Sequence, residues 1–109
     1  MPRWSRIRTF FSRRSRPWAR VRVTRGRWHL ITTAKHPVMA GREDAVKITL
    51  ENPEQIRQSR SDSQVLLFYY AEGSSRWVCA VAKQAADQGF LITAYPTDAI
   101  KEGTPIWPK

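Results

Sequence analysis

The sequence predicts an α+β fold in which two N-terminal helices pack on a three- to four-stranded antiparallel sheet, behind a basic arm. Three observations support this prediction. Residues 1–26 hold nine arginines and no acid, whereas residues 27–109 hold ten basic and nine acidic residues. Apolar spacing is helical up to about residue 51 and then changes to runs rich in aromatic and β-branched residues. Turn-forming residues separate these runs, as expected for an antiparallel meander.

The charge pattern divides the chain into an Arg-rich arm over residues 1–23, expected to be flexible, and a single domain over residues 24–109. Four interpretations of the arm stay open. It is a basic amphipathic helix on a membrane surface or on nucleic acid, an organelle transit peptide, a plain disordered tail, or a segment included because the start site was assigned too early. The cations expected to contact nucleic acid are Arg13, Arg14, Arg16, Arg20, Arg22 and Lys35.

The first helix is predicted over Arg25–Lys35. Thr24 precedes it as a suitable N-cap, because a threonine hydroxyl can accept a hydrogen bond from a free amide of the first turn. Pro37 disfavours the helical conformation for the residue before it, so the helix is expected to end at His36.

The second helix is predicted to open at Gly41-Arg42-Glu43-Asp44 and to run to about Glu51. Its core-facing stripe consists of Val46, Thr49 and Leu50, with Ile56 beyond the helix. Pro53 is expected to start one further helical turn that reaches Gln58. A polar loop then extends to Ser63.

Three strands are predicted to follow, over Gln64–Ala71, Arg76–Lys83 and Gly89–Tyr95. Residues 72–75 carry a hairpin signal between the first two strands, and Pro96 is expected to break the third. A helical turn is expected over Ala99–Glu102, before residues 103–107 pack back onto the domain.

Strict alternation along the third strand assigns its side chains to two faces. Phe90, Ile92 and Ala94 are apolar and are expected to lie under the helices. Leu91, Thr93 and Tyr95 then share the opposite face, where the two hydroxyl groups are the candidates for a functional cleft.

The composition excludes several classes of function. A single cysteine, Cys79, excludes an internal disulfide and a Cys-rich zinc module, and its apolar neighbours indicate a buried small side chain. His29 and His36 would lie about 10 Å apart along one helix, which is too far to share a metal. No apolar stretch approaches the ~18 residues of a membrane span, and no Gly-rich phosphate loop is present. We therefore expect no metal and no cofactor.

Several short elements recur in an order that resembles a known family. They are His29, Lys35-His36-Pro37, Leu50-Glu51-Asn52-Pro53-Glu54-Gln55-Ile56, Phe68-Tyr69-Tyr70, Arg76-Trp77-Val78 and Gly89-Phe90-Leu91-Ile92-Thr93-Ala94-Tyr95-Pro96. Over about residues 24–107 the chain resembles the small phage-type nuclease domains of the barnase–EndoU–colicin–RelE-like (BECR) superfamily.

The resemblance implies a helical N-terminal half on an antiparallel sheet, and metal-independent RNA cleavage in toxins, phage polyproteins or mobile elements. By position, it implies that the catalytic residues are His29, His36, Arg76, Thr93 and Tyr95. Several members of this broad group have no demonstrated activity. The chain also departs from the pattern at Val38, where an acid is expected, so that position supplies no carboxylate general base.

The chemistry of metal-free RNA cleavage suits these residue types. Histidine can take or give a proton near neutral pH, and the donor fork of arginine can stabilise the charge of the phosphorane. The leading hypothesis is a small metal-independent ribonuclease, toxin- or prophage-associated. The alternatives are a non-catalytic nucleic-acid-binding module and an inactive relative. Convergence of a histidine, Arg76 and Tyr95 in one cleft would favour catalysis. The expected partners are RNA and an antitoxin or immunity protein, the expected location is cytoplasmic, and the oligomeric state stays open.

Overall fold

The computed structural model describes residues 8–11, 20–85 and 88–108. These described residues include two α-helices, α1 (Arg25–Leu30) and α2 (Glu43–Glu51). Between them lie a π-helical turn, Ile31–Lys35, and a 3₁₀ turn, Pro37–Met39. The strands are β1 (Arg8–Phe11), β2 (Arg20–Val23), β3 (Gln55–Gln58), β4 (Val65–Gly73), β5 (Arg76–Ala85), β6 (Gln88–Thr97) and β7 (Thr104–Trp107).

The described strands form one mixed sheet of seven strands in the order β1-β2-β6-β5-β4-β3-β7. The β2–β6 pair is parallel and is restricted to Val21↔Gly89 and Arg22↔Phe90, whereas the other neighbours are antiparallel. The predicted architecture of helices on a three- to four-stranded antiparallel sheet is therefore wrong. Four strands of four residues each, β1, β2, β3 and β7, were missed because they are short, and β2, β3 and β7 each pair with a strand distant in the chain.

The predicted first helix is confirmed in its bounds and its cap. Thr24 Oγ1 accepts a hydrogen bond from the Arg27 amide at 3.1 Å. The helix widens into the π-helical turn that ends at Lys35. His36 leaves the helical region with φ −141° and ψ 77°, as the following Pro37 predicts.

The predicted second helix is also confirmed, with the stripe Val46, Thr49, Leu50 and Ile56 fully buried. The turn expected after Pro53 is wrong, because Gln55–Gln58 is a strand inserted between β4 and β7. Residues 99–102 form no helical turn either. Pairing across the sheet overrides the local preferences of these segments.

Pro96 does not break the last long strand but lies within β6, opposite Val78. Among the described strands, only β2 pairs with the outer side of β6, and only at Gly89 and Phe90, so none of them pairs with that side at Pro96. An edge tolerates proline, because its missing N–H is not needed by a neighbouring strand.

A β-bulge at Ile92 changes which residues of β6 face the helices. Val81 pairs with Thr93, but Ala82 pairs with Leu91, so Ile92 is the extra residue. Leu91 and Ala94 are consequently both fully buried in the core. The prediction is right for Ala94 but wrong for Phe90, which is 37% exposed, and for Leu91.

Part of the expected basic arm belongs to the sheet. Arg20–Val23 form β2, and the side chains of Val21 and Val23 are fully buried in the core. The described structure thus extends N-terminal to the boundary expected at residue 24. The predicted nucleic-acid contacts Arg13, Arg14 and Arg16 lie outside the described residues.

The sheet carries a hydrophobic cluster on each face. The larger one lies between the sheet and the helices and includes Trp28, Ile31, Leu50, Phe68 and Leu91. The smaller one consists of Leu67, Tyr69 and Cys79, with Trp77, Val81, Tyr95 and Ile100 packed against it. We call the sheet face that carries this second cluster the helix-free face.

Candidate functional site

A groove of about 560 Å³ lies on the helix-free face. Its floor is formed by side chains of the central strands, Val65, Leu67, Val81, Thr93 and Tyr95. Its walls are two loop segments, Ser59–Ser61 and Lys101–Gly103. Thr93 and Tyr95, which the sequence placed in a cleft, therefore both line a cavity.

The wall formed by residues 101–103 is held by an arginine of β3. Arg57 Nε donates to the Glu102 carbonyl at 2.7 Å, and Arg57 Nη2 donates to the Gly103 carbonyl at 2.9 Å. Gly103 has φ +80°, and a Cβ atom there would lie 2.6 Å from the Gln58 carbonyl oxygen. Only glycine permits this close approach, so any side chain at position 103 would force the backbone of this wall to move.

The opposite wall is a loop closed by its own hydrogen bonds. The Ser59 amide donates to the Val65 carbonyl at 2.9 Å, and the Asp62 carboxylate accepts from the Gln64 amide at 3.0 Å. Lys83 Nζ lies 3.1 Å from the second Asp62 oxygen. The Gln64 amide, and then Lys83, lower the pKa of Asp62. The loop presents the exposed cation Arg60 to the groove.

A row of polar atoms crosses the floor of the helix-free face. Tyr69 and Tyr95 are the direct cross-strand partners of Cys79 on its two sides. Burial, and then interaction with the Cys79 side chain, raise the pKa of both tyrosines. Burial raises the pKa of Cys79 to about 12 and raises the pKa of Tyr95 above its ordinary value. Tyr95 is thus a neutral hydrogen-bond donor rather than a base, and Cys79 is a buried thiol as predicted.

His36 contacts the groove through Tyr95. The two ring centroids lie 5.2 Å apart with an angle of 37° between the ring planes. The His36 amide donates to the Ile31 carbonyl at 2.7 Å, and its carbonyl accepts from the Met39 amide at 2.9 Å. Met39 is fully buried and anchors this segment. His36 reaches Tyr95 at the part of β6 that β2 leaves unpaired.

The side chain of Thr93 ends in a buried hydroxyl group. Its Oγ1 is buried and, among the described residues, has no hydrogen-bond partner. Native proteins pair nearly all such buried groups, so this hydroxyl on the floor of the groove is an exception.

Three of the residues that the resemblance implies, His29, His36 and Arg76, do not line the groove, and among the described residues His36 is linked to it only by its ring contact with Tyr95. His29 is exposed on α1, where its carbonyl accepts from Thr33 Oγ1 at 2.7 Å. Arg76 is exposed at the start of β5, and strand alternation places it on the side of the buried Val78, towards the helices. The expected convergence of a histidine, Arg76 and Tyr95 is therefore incomplete, because Arg76 is not brought to the other two.

Three charged residues of the groove were missed by the sequence analysis, namely Arg60, Lys101 and Glu102. They lie in loops that lack any periodic pattern. Only the pairing of β3 with β7 brings the two loops towards one another, and no local signal predicts that pairing. Lys35, which was predicted to bind nucleic acid, is exposed at the end of the π-helical turn.

Within residues 8–11, 20–85 and 88–108, no three His, Cys, Asp or Glu side chains group closely enough to hold a metal ion. No helix among them is long and apolar enough to cross a membrane. Comparisons with protein-family models, curated proteins and solved structures found no match.

Proposed function

We propose that the protein is a small metal-independent ribonuclease of the BECR type, with its active site in the groove of the helix-free face. The observation that supports this most strongly is the contact between His36 and Tyr95, with 5.2 Å between ring centroids. In this contact an imidazole lies beside the neutral phenol of Tyr95, and Tyr95 lines the groove together with Thr93 and two cations.

The reaction requires an attack of a ribose 2′-hydroxyl on the adjacent phosphorus. The 2′-proton leaves to a base, the bond from phosphorus to the 5′-oxygen breaks, and an acid protonates that oxygen. The products are a 2′,3′-cyclic phosphate and a free 5′-hydroxyl. In this proposal His36 is one proton-transfer group, and the Glu102 carboxylate on the groove wall is the second.

The negative charge of the phosphorane needs donors that are already in place. Arg60 and Lys101 are the cations on the two walls of the groove, and they replace Arg76 in this role. Tyr95 can donate a hydrogen bond to a phosphate oxygen, because its raised pKa keeps the phenol protonated.

A non-catalytic RNA-binding module is the second candidate. The positions of His29 and Arg76, which do not line the groove, favour it. The two candidates differ in one experiment: the purified full chain is incubated with single-stranded RNA in EDTA, and the ends of any fragments are analysed. A ribonuclease of this type leaves 2′,3′-cyclic phosphate ends. A folded protein that binds RNA and cleaves none supports the binding module.

The proposal includes a cytoplasmic location and an antitoxin or immunity protein as a partner. Free ribonuclease activity would damage the RNA of the cell that makes it. An inhibitor that covers the groove would prevent this damage.

A further inference from the structure

A second cavity lies between β2 and β6. Its volume is about 200 Å³, and it is lined by Arg22, Thr24, Gln88, Gly89 and Phe90. Val21 and Val23 point into the core, so by alternation Arg22 and Thr24 lie on the helix-free face. The cavity is therefore on the same face of the sheet as the groove.

Phe90 gives this cavity an exposed aromatic ring. The bulge at Ile92 turns Leu91 into the core and leaves Phe90 on the helix-free face, 37% exposed. Its direct cross-strand partners are Arg22 on one side and Lys83 on the other. Lys83 forms an ion pair with Asp62, so Arg22 contributes the larger net positive charge to this row.

An exposed ring beside a guanidinium matches the chemistry of a single-stranded nucleic acid. A base stacks on the ring whatever its identity, and the cation binds the adjoining phosphate. The Gln88 amide and the Thr24 hydroxyl add hydrogen-bonding groups at the rim of the cavity. A duplex hides its bases between neighbouring pairs and cannot use the ring in this way. The net charge of +10 on the chain adds attraction for a polyanion.

We infer that Phe90 and Arg22 form a base-stacking subsite for single-stranded RNA, separate from the groove. The inference rests on the proposed function, because it assigns the second cavity to the same substrate. Phe90 and Tyr95 belong to the same strand and lie about 15 Å apart along it. An RNA single strand whose scissile phosphate lies beside Tyr95 would extend along β6 to Phe90. The preferred RNA substrate is therefore longer than a dinucleotide.

The test measures binding rather than cleavage. A fluorescent single-stranded RNA with 2′-O-methyl riboses cannot be cut, because its 2′-oxygen carries no proton. The full chain is titrated with this probe by anisotropy, and in parallel with a duplex of the same sequence. The variants are Phe90→Ala, Phe90→Trp and Arg22→Gln. The matched controls are Leu30→Ala, another exposed apolar residue, and Lys47→Gln, an exposed cation on α2.

We expect Phe90→Ala to weaken single-strand binding by about 5- to 150-fold, with Phe90→Trp restoring it and the duplex unaffected. Arg22→Gln should weaken binding and flatten its salt dependence, whereas both controls bind like the wild type. Equal affinity of Phe90→Ala and Leu30→Ala for the single strand would overturn the inference, as would an equal loss for the duplex. Wild-type binding without any cleavage of ordinary RNA would refute the proposed function but not this subsite.

Discussion

The imidazole of His36 packs against the phenol of Tyr95, with 5.2 Å between the ring centroids, although His36 follows a helical turn and Tyr95 lies within β6. Two features hold His36 there. Pro37 fixes the backbone that follows it, and the buried Met39 ties the 3₁₀ turn to the core. His36 therefore contacts a residue that lines the groove, although it does not line the groove itself.

The bulge at Ile92 predicts opposite consequences for two neighbouring residues. Leu91→Ala should lower the free energy of unfolding by about 2–5 kcal/mol, because it leaves a cavity in the core. Phe90→Ala should lower it by about 1 kcal/mol or less, because the ring is partly solvated. Urea unfolding of the two variants checks this difference. A larger loss for Phe90→Ala would place Phe90 under the helices, as regular alternation had predicted.

The burial of β2 predicts that the N-terminal part of the sheet contributes to stability. Val21→Ala should destabilise the fold by about 1–3 kcal/mol, since Val21 is fully buried. Val38→Ala is the matched control, because Val38 is 60% exposed and its truncation should change stability little. Thermal unfolding of both variants provides the measurement. Equal thermal unfolding midpoints for Val21→Ala and Val38→Ala would indicate that Val21 does not pack in the core and belongs to a detached arm.

Gly103 should not tolerate a side chain. Gly103→Ala brings a Cβ atom to 2.6 Å from the Gln58 carbonyl oxygen at φ +80°, so the backbone of the groove wall has to move. We expect a loss of stability of about 1–3 kcal/mol. Gly73→Ala is the control, because a Cβ atom at Gly73 would meet nothing within 4 Å. Chemical denaturation that leaves Gly103→Ala as stable as Gly73→Ala would contradict the described wall.

The buried Cys79 predicts a loss of stability in alkali. Its pKa is raised from 9.0 to about 12, mainly by burial, so above about pH 9 the unfolded chain releases a proton that the folded chain retains. The free energy of unfolding should therefore fall as the pH rises from about 9 to about 12. Tyr95 acts in the same direction, since burial raises its pKa too.

Urea unfolding at about pH 8 and about pH 10 measures this effect, with Cys79→Ala as the comparison. The pH-dependent loss should be smaller in the variant, even if its stability near neutral pH is lower. An identical loss in both proteins would show that the thiol is not shielded in the folded state.

Local sequence signals account for the parts of the fold that were predicted correctly. Thr24 marks the first helix, Pro37 ends the helical path, and the runs rich in aromatic and β-branched residues that became β4 and β5 are joined by a short turn. Each of these signals acts between residues close in the chain. The segments that were mispredicted, β2 and β3 above all, are short strands, and one neighbour of each is distant in the chain, β6 for β2 and β7 for β3. Residues 20–23 alternate between arginine and valine, with both valines buried, but the arginines led this segment to be assigned to the basic arm.

The candidate site was predictable in part for the same reason. Thr93 and Tyr95 share a face by simple alternation, and that face proved to be the floor of the groove. No residue near Ile92 predicts the bulge, because Leu91, Ile92 and Thr93 are all ordinary strand residues. The placement of Arg60 and Lys101 on one groove depends on two loops that lie near each other only in the folded chain. The sequence alone therefore does not predict it.

The central claim is that His36 transfers a proton in RNA cleavage, and the chain supplies its own control in His29. The most direct measurement is the single-turnover cleavage rate of a single-stranded RNA by the wild type, His36→Gln and His29→Gln, each verified as folded by circular dichroism. We predict that His36→Gln lowers the rate by about 10²- to 10⁴-fold, while His29→Gln cleaves like the wild type. Cleavage by His36→Gln at the wild-type rate would contradict the claim.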